Sequence, residues 1–404
     1  MTSHEWKGAI RRRIEVFLIF LRLGCTSFGG PIAHLGYFQS EFVERRKWLG
    51  AESFAELVAL AQSLPGPASS QVGFAIGLLR GGLTGGFAAW LGFTLPSAAL
   101  MLAFAFGHSL FSGKGGAAFL HGLQLTAVAV VAQAVLAMQG RLAPDRTRLV
   151  FAILAVGIVL FGPPFVSTAL AILLGAIGGL LVLRTSAESA AGQLLTSIST
   201  LSRRTGTAAG ALFAVLFAVC LAIRRSGLSA LGLFANFFRA GSLVFGGGHV
   251  VLPLLDGLVV AKGWMQREVF LAGYGAAQAL PGPLFSFAAY VGASVRPNAH
   301  PLAAGLIALV AIFLPGLLLM TAILPFWHGL RDRPIVQSAL RGVNASVVGV
   351  LIAAFYQPVW TSTVHSSTDF WIALSAFAAL TVWRLAPWMV VGAVGSICWI
   401  LAVL

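Results

Sequence analysis

Two arginines stand where an apolar chain has little reason to hold a charge. Arg22 lies in FLIFLRLGCTSFGGP and Arg239 in FANFFRAGSLVFGGG, each six residues before a Phe-Gly-Gly and 217 positions apart. At about 1.5 Å of rise per residue, each lies on the order of 12–20 Å into its apolar run, near the middle of a bilayer. A charge at that depth is costly and marks a functional candidate. Neither arginine has an acid three or four residues away, so no local ion pair neutralises it. A tetrahedral oxyanion would supply the missing partner, because the guanidinium fork matches its oxygens bidentately. The structural alternative is a snorkelling arginine, or one bonded to the carbonyls of a broken helix.

The residues around them are poor helix formers. SFGGP carries Gly29, Gly30 and Pro31, and VFGGGH carries Gly246 and Gly247. An interrupted helix exposes free N–H groups and a positive dipole end, and at the midplane these suit an anion. Kinking or close packing through small residues is the plainer reading. Further on, AQSLPGP (Ala61–Pro67) and AQALPGP (Ala277–Pro283) match at six of seven letters. Pro65 and Pro67, like Pro281 and Pro283, remove backbone donors around Gly66 and Gly282, so neither stretch continues a regular helix. Irregular backbone at membrane depth must be buried in protein or line a cavity. Gln62 and Gln278, just before these turns, are candidate amide donors to a ligand. A re-entrant turn without ligand contact is the alternative.

Titratable side chains are few. Glu52 and Glu268 recur just after Trp48 and Trp264, which places them at interfacial helix starts. SFAE (Ser53–Glu56) reads as a capping box, and a coupling carboxylate is the sharper role for the two acids. His34 and His249 follow the glycine breaks at different offsets; with Asp256 they complete the candidates for proton coupling. No Walker loop, dinucleotide fingerprint or HExxH is present, and no cofactor or metal site is expected. An ion gradient or substrate exchange is the simpler motor than ATP.

These residues need a scaffold, and composition supplies its class. The chain has 404 residues, 58% hydrophobic and 9% charged, against about a quarter charged in soluble domains. Long uncharged runs predict an all-α integral membrane protein rather than a barrel. The net charge of +14 fits basic cytoplasmic loops better than nucleic acid, and it favours anions over cations. Cys25, Cys220 and Cys398 show no metal or disulfide spacing. The first apolar run lacks a cleavage site and is read as a retained helix. Roughly 10–13 hydrophobic segments follow one another, some short enough to be re-entrant.

The runs fall into two series. The offset is 217 at Phe28/Phe245, 216 at Trp48/Trp264 and at Gln62/Gln278, 219 at Pro96/Pro315 and 220 at Gly122/Gly342. Collinear matches with a slowly drifting offset indicate duplication. The expected division is residues 1–183 as a first membrane repeat, 184–227 as a polar linker with an unpaired span, and 228–404 as a second repeat. One extra span between the halves would invert the second, as in many secondary transporters. The excess of Lys and Arg on one side places the N-terminus in the cytoplasm, with Arg45–Lys47 and Arg224–Arg225 against that assignment.

FGGPIAHLGYFQSEFVERRKWL (Phe28–Leu49) with LAQSLPGP (Leu60–Pro67) resembles the first half-signature of the chromate ion transporter family, and FGGGHVVLPLL (Phe245–Leu255) with AQALPGP resembles the second. The resemblance covers both halves. It implies a bacterial inner-membrane protein, not an enzyme, that exports chromate and confers resistance, with sulfate as the isosteric competitor. The expectation is therefore a secondary transporter of a tetrahedral dianion. The alternatives are a sulfate or other oxyanion transporter and, in another class, an intramembrane chromate reductase, which the absence of cofactor motifs and clustered thiols opposes. The oligomeric state is left open.

Overall fold

Proline and glycine decide where the helices stop. The computed structural model describes residues 3–107, 113–163, 166–183, 201–223, 229–246, 248–295, 300–331 and 333–403. Helix α1 (Ser3–Thr26) ends ahead of Gly29, and α2 (Gly30–Phe38) continues as a π-helical turn, Gln39–Arg45. Helix α3 (Ala51–Ser63) ends at the first Leu-Pro-Gly-Pro. Helix α4 (Ala68–Gly107) is two helices joined at Gly81–Gly82, where the backbone leaves helical geometry. Then follow α5 (Lys114–Leu142), α6 (Arg146–Phe161), α7 (Val166–Val182) and α8 (Arg203–Ala222).

The same order then recurs. Helix α9 (Ala230–Leu243) ends ahead of Gly246. A 3-10 turn, the short α10 (Val251–Leu255) and a π-helical turn (Asp256–Val260) follow it. Helix α11 (Arg267–Ala279) ends at the second Leu-Pro-Gly-Pro. Helices α12 (Phe287–Ser294) and α13 (Pro301–Ile323) stand where α4 stands in the first series. After the short α14 (Trp327–Arg331) come α15 (Pro334–Ala354), α16 (Ser367–Thr381) and α17 (Pro387–Val403). Helix α8 matches nothing in the first series. It lies within the expected linker region 184–227 and takes in the polar Arg203–Thr207, with Ser202 Oγ accepting from Thr205 N at its start. Of the expected linker, residues 184–200 lie outside the described residues.

All regular structure among the described residues is helical, and five helices are long and apolar enough to cross a membrane. The protein is an all-α membrane protein. Full-length spans are fewer than the apolar runs, because the glycine and proline breaks divide several runs into pieces of 10–17 residues. One helix start differs from expectation. Ser53 does not cap α3; its N-cap is Gly50, and Ser53 Oγ is buried with no hydrogen bond. The Trp48–Gly50 turn starts the helix one turn earlier, which carries Ser53 inside.

The two series exchange helices. Helix α5 packs on α16 and α17, and α15 packs on α6 and α7. At these crossings a Cβ on Gly122 would stand 2.9 Å from Gly395 Cα, and one on Gly342 would overlap the Gly175 carbonyl. Small residues let the backbones approach without a hydrophobic driving force in lipid. Gly342→Val and Gly122→Val are each expected to cost at least about 1–3 kcal/mol and to lower the thermal midpoint in detergent. Gly140→Val, on α5 with open space around it, should leave the midpoint unchanged.

Candidate functional site

Each broken helix is closed by the opposite half. Gly66 N donates to Val244 O at 2.7 Å, and Gly282 N donates to Ser27 O at 2.9 Å. Val244 and Ser27 are 217 positions apart and the glycines 216 apart, so the two bonds are counterparts. Val244 and Ser27 are the residues that follow α9 and α1 closely, where helix carbonyls run out of intrahelical donors. The Pro-Gly-Pro turns carry one donor between two prolines, and both turns commit that donor to the other half's break. The turns require glycine, with φ of 122° at Gly66 and 90° at Gly282. A Cβ would also stand 3.0 Å from Gly316 Cα at the first, and 2.9 Å from Ser97 Oγ at the second.

The breaks also touch each other. A Cβ on Gly248 would lie 3.4 Å from Pro31 Cγ, and these two residues are themselves 217 positions apart. Gln71 adds a further tie, its Nε2 donating to Pro65 O at 3.0 Å and to Gly316 O at 3.1 Å. Buried and fixed, Gln71 is a member of this centre that sequence reasoning missed. The available signal was an amide four residues after Pro67, at the start of a largely apolar helix.

The arginines behave differently. Arg22 is exposed on α1, and its side chain has no hydrogen-bond or ion-pair partner among the described residues. Cys25, Thr26 and Gly29 nearby are exposed as well, and a Cβ on Gly30 would meet nothing within 4 Å. Arg239 is buried. Its Nε donates to Ala235 O at 3.1 Å and its Nη2 to Asn236 Oδ1 at 2.8 Å and Ile223 O at 3.5 Å. The partner expected from a substrate anion is here supplied by protein oxygens, because a helical side chain points back toward its own N-terminus. Lys262 Nζ shares Asn236 Oδ1 at 2.9 Å, so two cations rest on one amide oxygen. The second break is packed, with Gly246 against Met138, Leu142 and Val347. Gly247 lies outside the described residues.

The remaining candidates scatter. Gln62 is exposed, whereas Gln278 Nε2 is buried without a hydrogen bond beside the Tyr274 hydroxyl. His34 is buried with Nδ1 3.3 Å from Ser69 Oγ, and His249 Nδ1 lies 2.8 Å from Tyr274 Oη. Glu52 and Glu268 occupy the first turns of α3 and α11 and are exposed, as expected of helix starts. Asp256 is buried and pairs with Arg267, Nε to Oδ1 at 3.6 Å. Arg267 was missed because it sits beside Glu268 in a stretch that reads as an interfacial helix start.

Interrupted helices from two like series, locked by each other's turns inside an apolar bundle, define a polytopic membrane protein with a non-helical centre. Residues 14–180 and, separately, 231–399 match the family model for the chromate transporter, and the chain belongs to that family. It is similar to the chromate transport protein of Pseudomonas aeruginosa, 30% identical over 369 residues that cover 90% of this chain and 85% of that protein. It is also similar to the probable chromate transport protein of Synechococcus elongatus, 28% identical over 91% of this chain and 88% of that one. The chromate transport protein of Cupriavidus metallidurans is 25% identical, over 84% of this chain and 81% of its own length. No solved structure matches the chain.

Gly66→Ala and Gly282→Ala test the locked centre. A left-handed residue with a Cβ costs roughly 1–2 kcal/mol before any clash. Both variants are therefore expected to melt below the wild type, whereas Gln62→Ala, on the exposed side, should melt with it. Gln71→Leu removes the donor to the Pro65 carbonyl, at about 1–3 kcal/mol, and should fall with the glycine variants.

Proposed function

We propose that the protein is a secondary transporter that carries chromate out of the cytoplasm across a bacterial inner membrane. The names of its relatives supply the substrate class. The carrying observation is the contrast between equivalent arginines. Arg22 stands exposed near Gly30, where a Cβ would meet nothing within 4 Å, while Arg239 is buried on protein oxygens near the packed Gly246. An exposed arginine in one series and a covered counterpart in the other are compatible with alternating access between inverted repeats.

In this reading a tetrahedral dianion meets Arg22 and the free N–H groups at the start of α2. The Gly66 and Gly282 amides, already bonded, support the path and do not bind the anion. The halves divide at residues 1–183 and 228–404 and run in opposite senses, with the N-terminus in the cytoplasm. Exchange of the open and closed arrangements would expose Arg239 in its turn.

Flux of chromate in proteoliposomes tests this. Arg22→Ala is expected to lose at least about tenfold in flux at wild-type stability, since an exposed arginine contributes little to folding. Arg22→Lys should recover only part, because the bidentate fork is lost. Arg239→Ala should lower both flux and the melting temperature, because it removes the buried bonds to Asn236 Oδ1 and to the carbonyls of Ala235 and Ile223. Wild-type vesicles without protein-dependent chromate flux, or Arg22→Ala at full flux, would refute the reading. Excess sulfate is expected to slow chromate flux as the isosteric competitor.

A further inference from the structure

A cavity of about 180 Å3 opens at the π-helical turn Asp256–Val260, between residues of the two series. Ser167 and Thr168 of α7 line it from the first series; Asp256, Arg267 and Gln357 line it from the second. Ser167 and Thr168 are each 2% exposed and Asp256 9%. Three polar atoms here make no hydrogen bond among the described residues: Ser167 Oγ, Asp256 Oδ1 and Arg267 Nε. The ion pair between the last two, at 3.6 Å, is too long for a hydrogen bond. Buried polar groups are ordinarily paired, so three orphans around one cavity point to a guest.

The donors name the guest. A guanidinium edge, two hydroxyls and a carboxamide suit an oxyanion of a few oxygens, and the volume accommodates one. The Asp256 carboxylate opposes it, since a buried anion beside a carboxylate is repelled. Protonated at Oδ1, the same group stops competing for Arg267 and becomes a donor. Among the ionisable groups on the elements packed around the turn, Arg267 alone lines the cavity. Helix α10 carries none, Glu268 on α11 is exposed, and Lys262 reaches Asn236. Helix α7 carries none, and the arginines of α6 and α15 lie at least about three turns from the lining residues.

The pair is found in one half only. At the matching offsets the first half has Gln39 for Asp256 and Ala51 for Arg267. The two ends of a duplicated scaffold are therefore chemically unlike.

We propose that this cavity is a small-oxyanion subsite in which the bound anion and the Asp256 carboxylate exclude each other, so that each anion enters with one proton taken from solvent onto Asp256. This rests on the reading that the protein handles oxyanions, and it adds a site apart from Arg22.

Calorimetric titration of the purified full-length protein with sulfate, over a series of pH values at which sulfate stays a dianion, tests the subsite. Wild-type affinity is expected to weaken about tenfold per pH unit where Asp256 is ionised, the slope of one linked proton. Asp256→Asn should bind with no such slope, and more tightly than wild type in alkaline buffer. Arg267→Gln should lose at least tenfold. Should either fail to fold, Ser167→Ala leaves the ion pair intact and should weaken sulfate several-fold. A wild-type slope in Asp256→Asn, or wild-type affinity in Arg267→Gln or Ser167→Ala, overturns the subsite. Normal chromate flux with pH-independent sulfate binding overturns the subsite alone. Absent chromate flux with pH-linked sulfate binding overturns the transport reading alone; Arg22→Ala is expected to keep the pH-linked component of sulfate binding, and loss of that component there overturns the separation of the two sites.

Discussion

A broken helix in an apolar bundle leaves backbone groups that lipid cannot satisfy, and they must find partners inside the protein. Here the partners are exchanged. The Gly66 amide takes the Val244 carbonyl and the Gly282 amide takes that of Ser27. Neither turn's glycine amide bonds within its own half. The same exchange recurs further out, where α5 packs on α16 and α17 and α15 on α6 and α7. The halves are folded into one another, and much of the structure follows from that requirement.

The exchange also explains why two prolines flank one glycine. Each proline removes a donor that would otherwise need a partner, and the positive φ of the glycine turns its single N–H across to the other half. Gln71 then holds the Pro65 carbonyl, which the missing donors leave unpaired, and ties it to Gly316, next to Pro315 inside α13. A small number of polar bonds fixes the geometry of a large apolar assembly.

Equivalent positions do not carry equivalent chemistry. Arg22 is exposed and Arg239 is buried on carbonyls. Gly30 borders open space and Gly246 is packed. Asp256 and Arg267 answer to a glutamine and an alanine. A scaffold of two like series with unlike contents can present different faces to the two sides of a membrane.

The sequence by itself determined the class, the breaks and the pairing of like segments. Each follows from local chemistry: composition dictates the solvent, proline and glycine dictate where helices end, and the slow drift of offset from 216 to 220 aligns the like segments. The helix starts at Glu52 and Glu268 were legible for the same reason. What only the tertiary structure decided is which breaks meet which turns, and where the charges point. Arg22 and Arg239 look alike in sequence because their immediate neighbours are alike. Their fates differ because Asn236 and the end of α8 stand beside one of them alone. Gln71 and Arg267 escaped notice because their partners, Gly316 and Asp256, lie 245 and 11 residues away. A side chain's neighbours across the fold set its role, and a linear pattern does not record them.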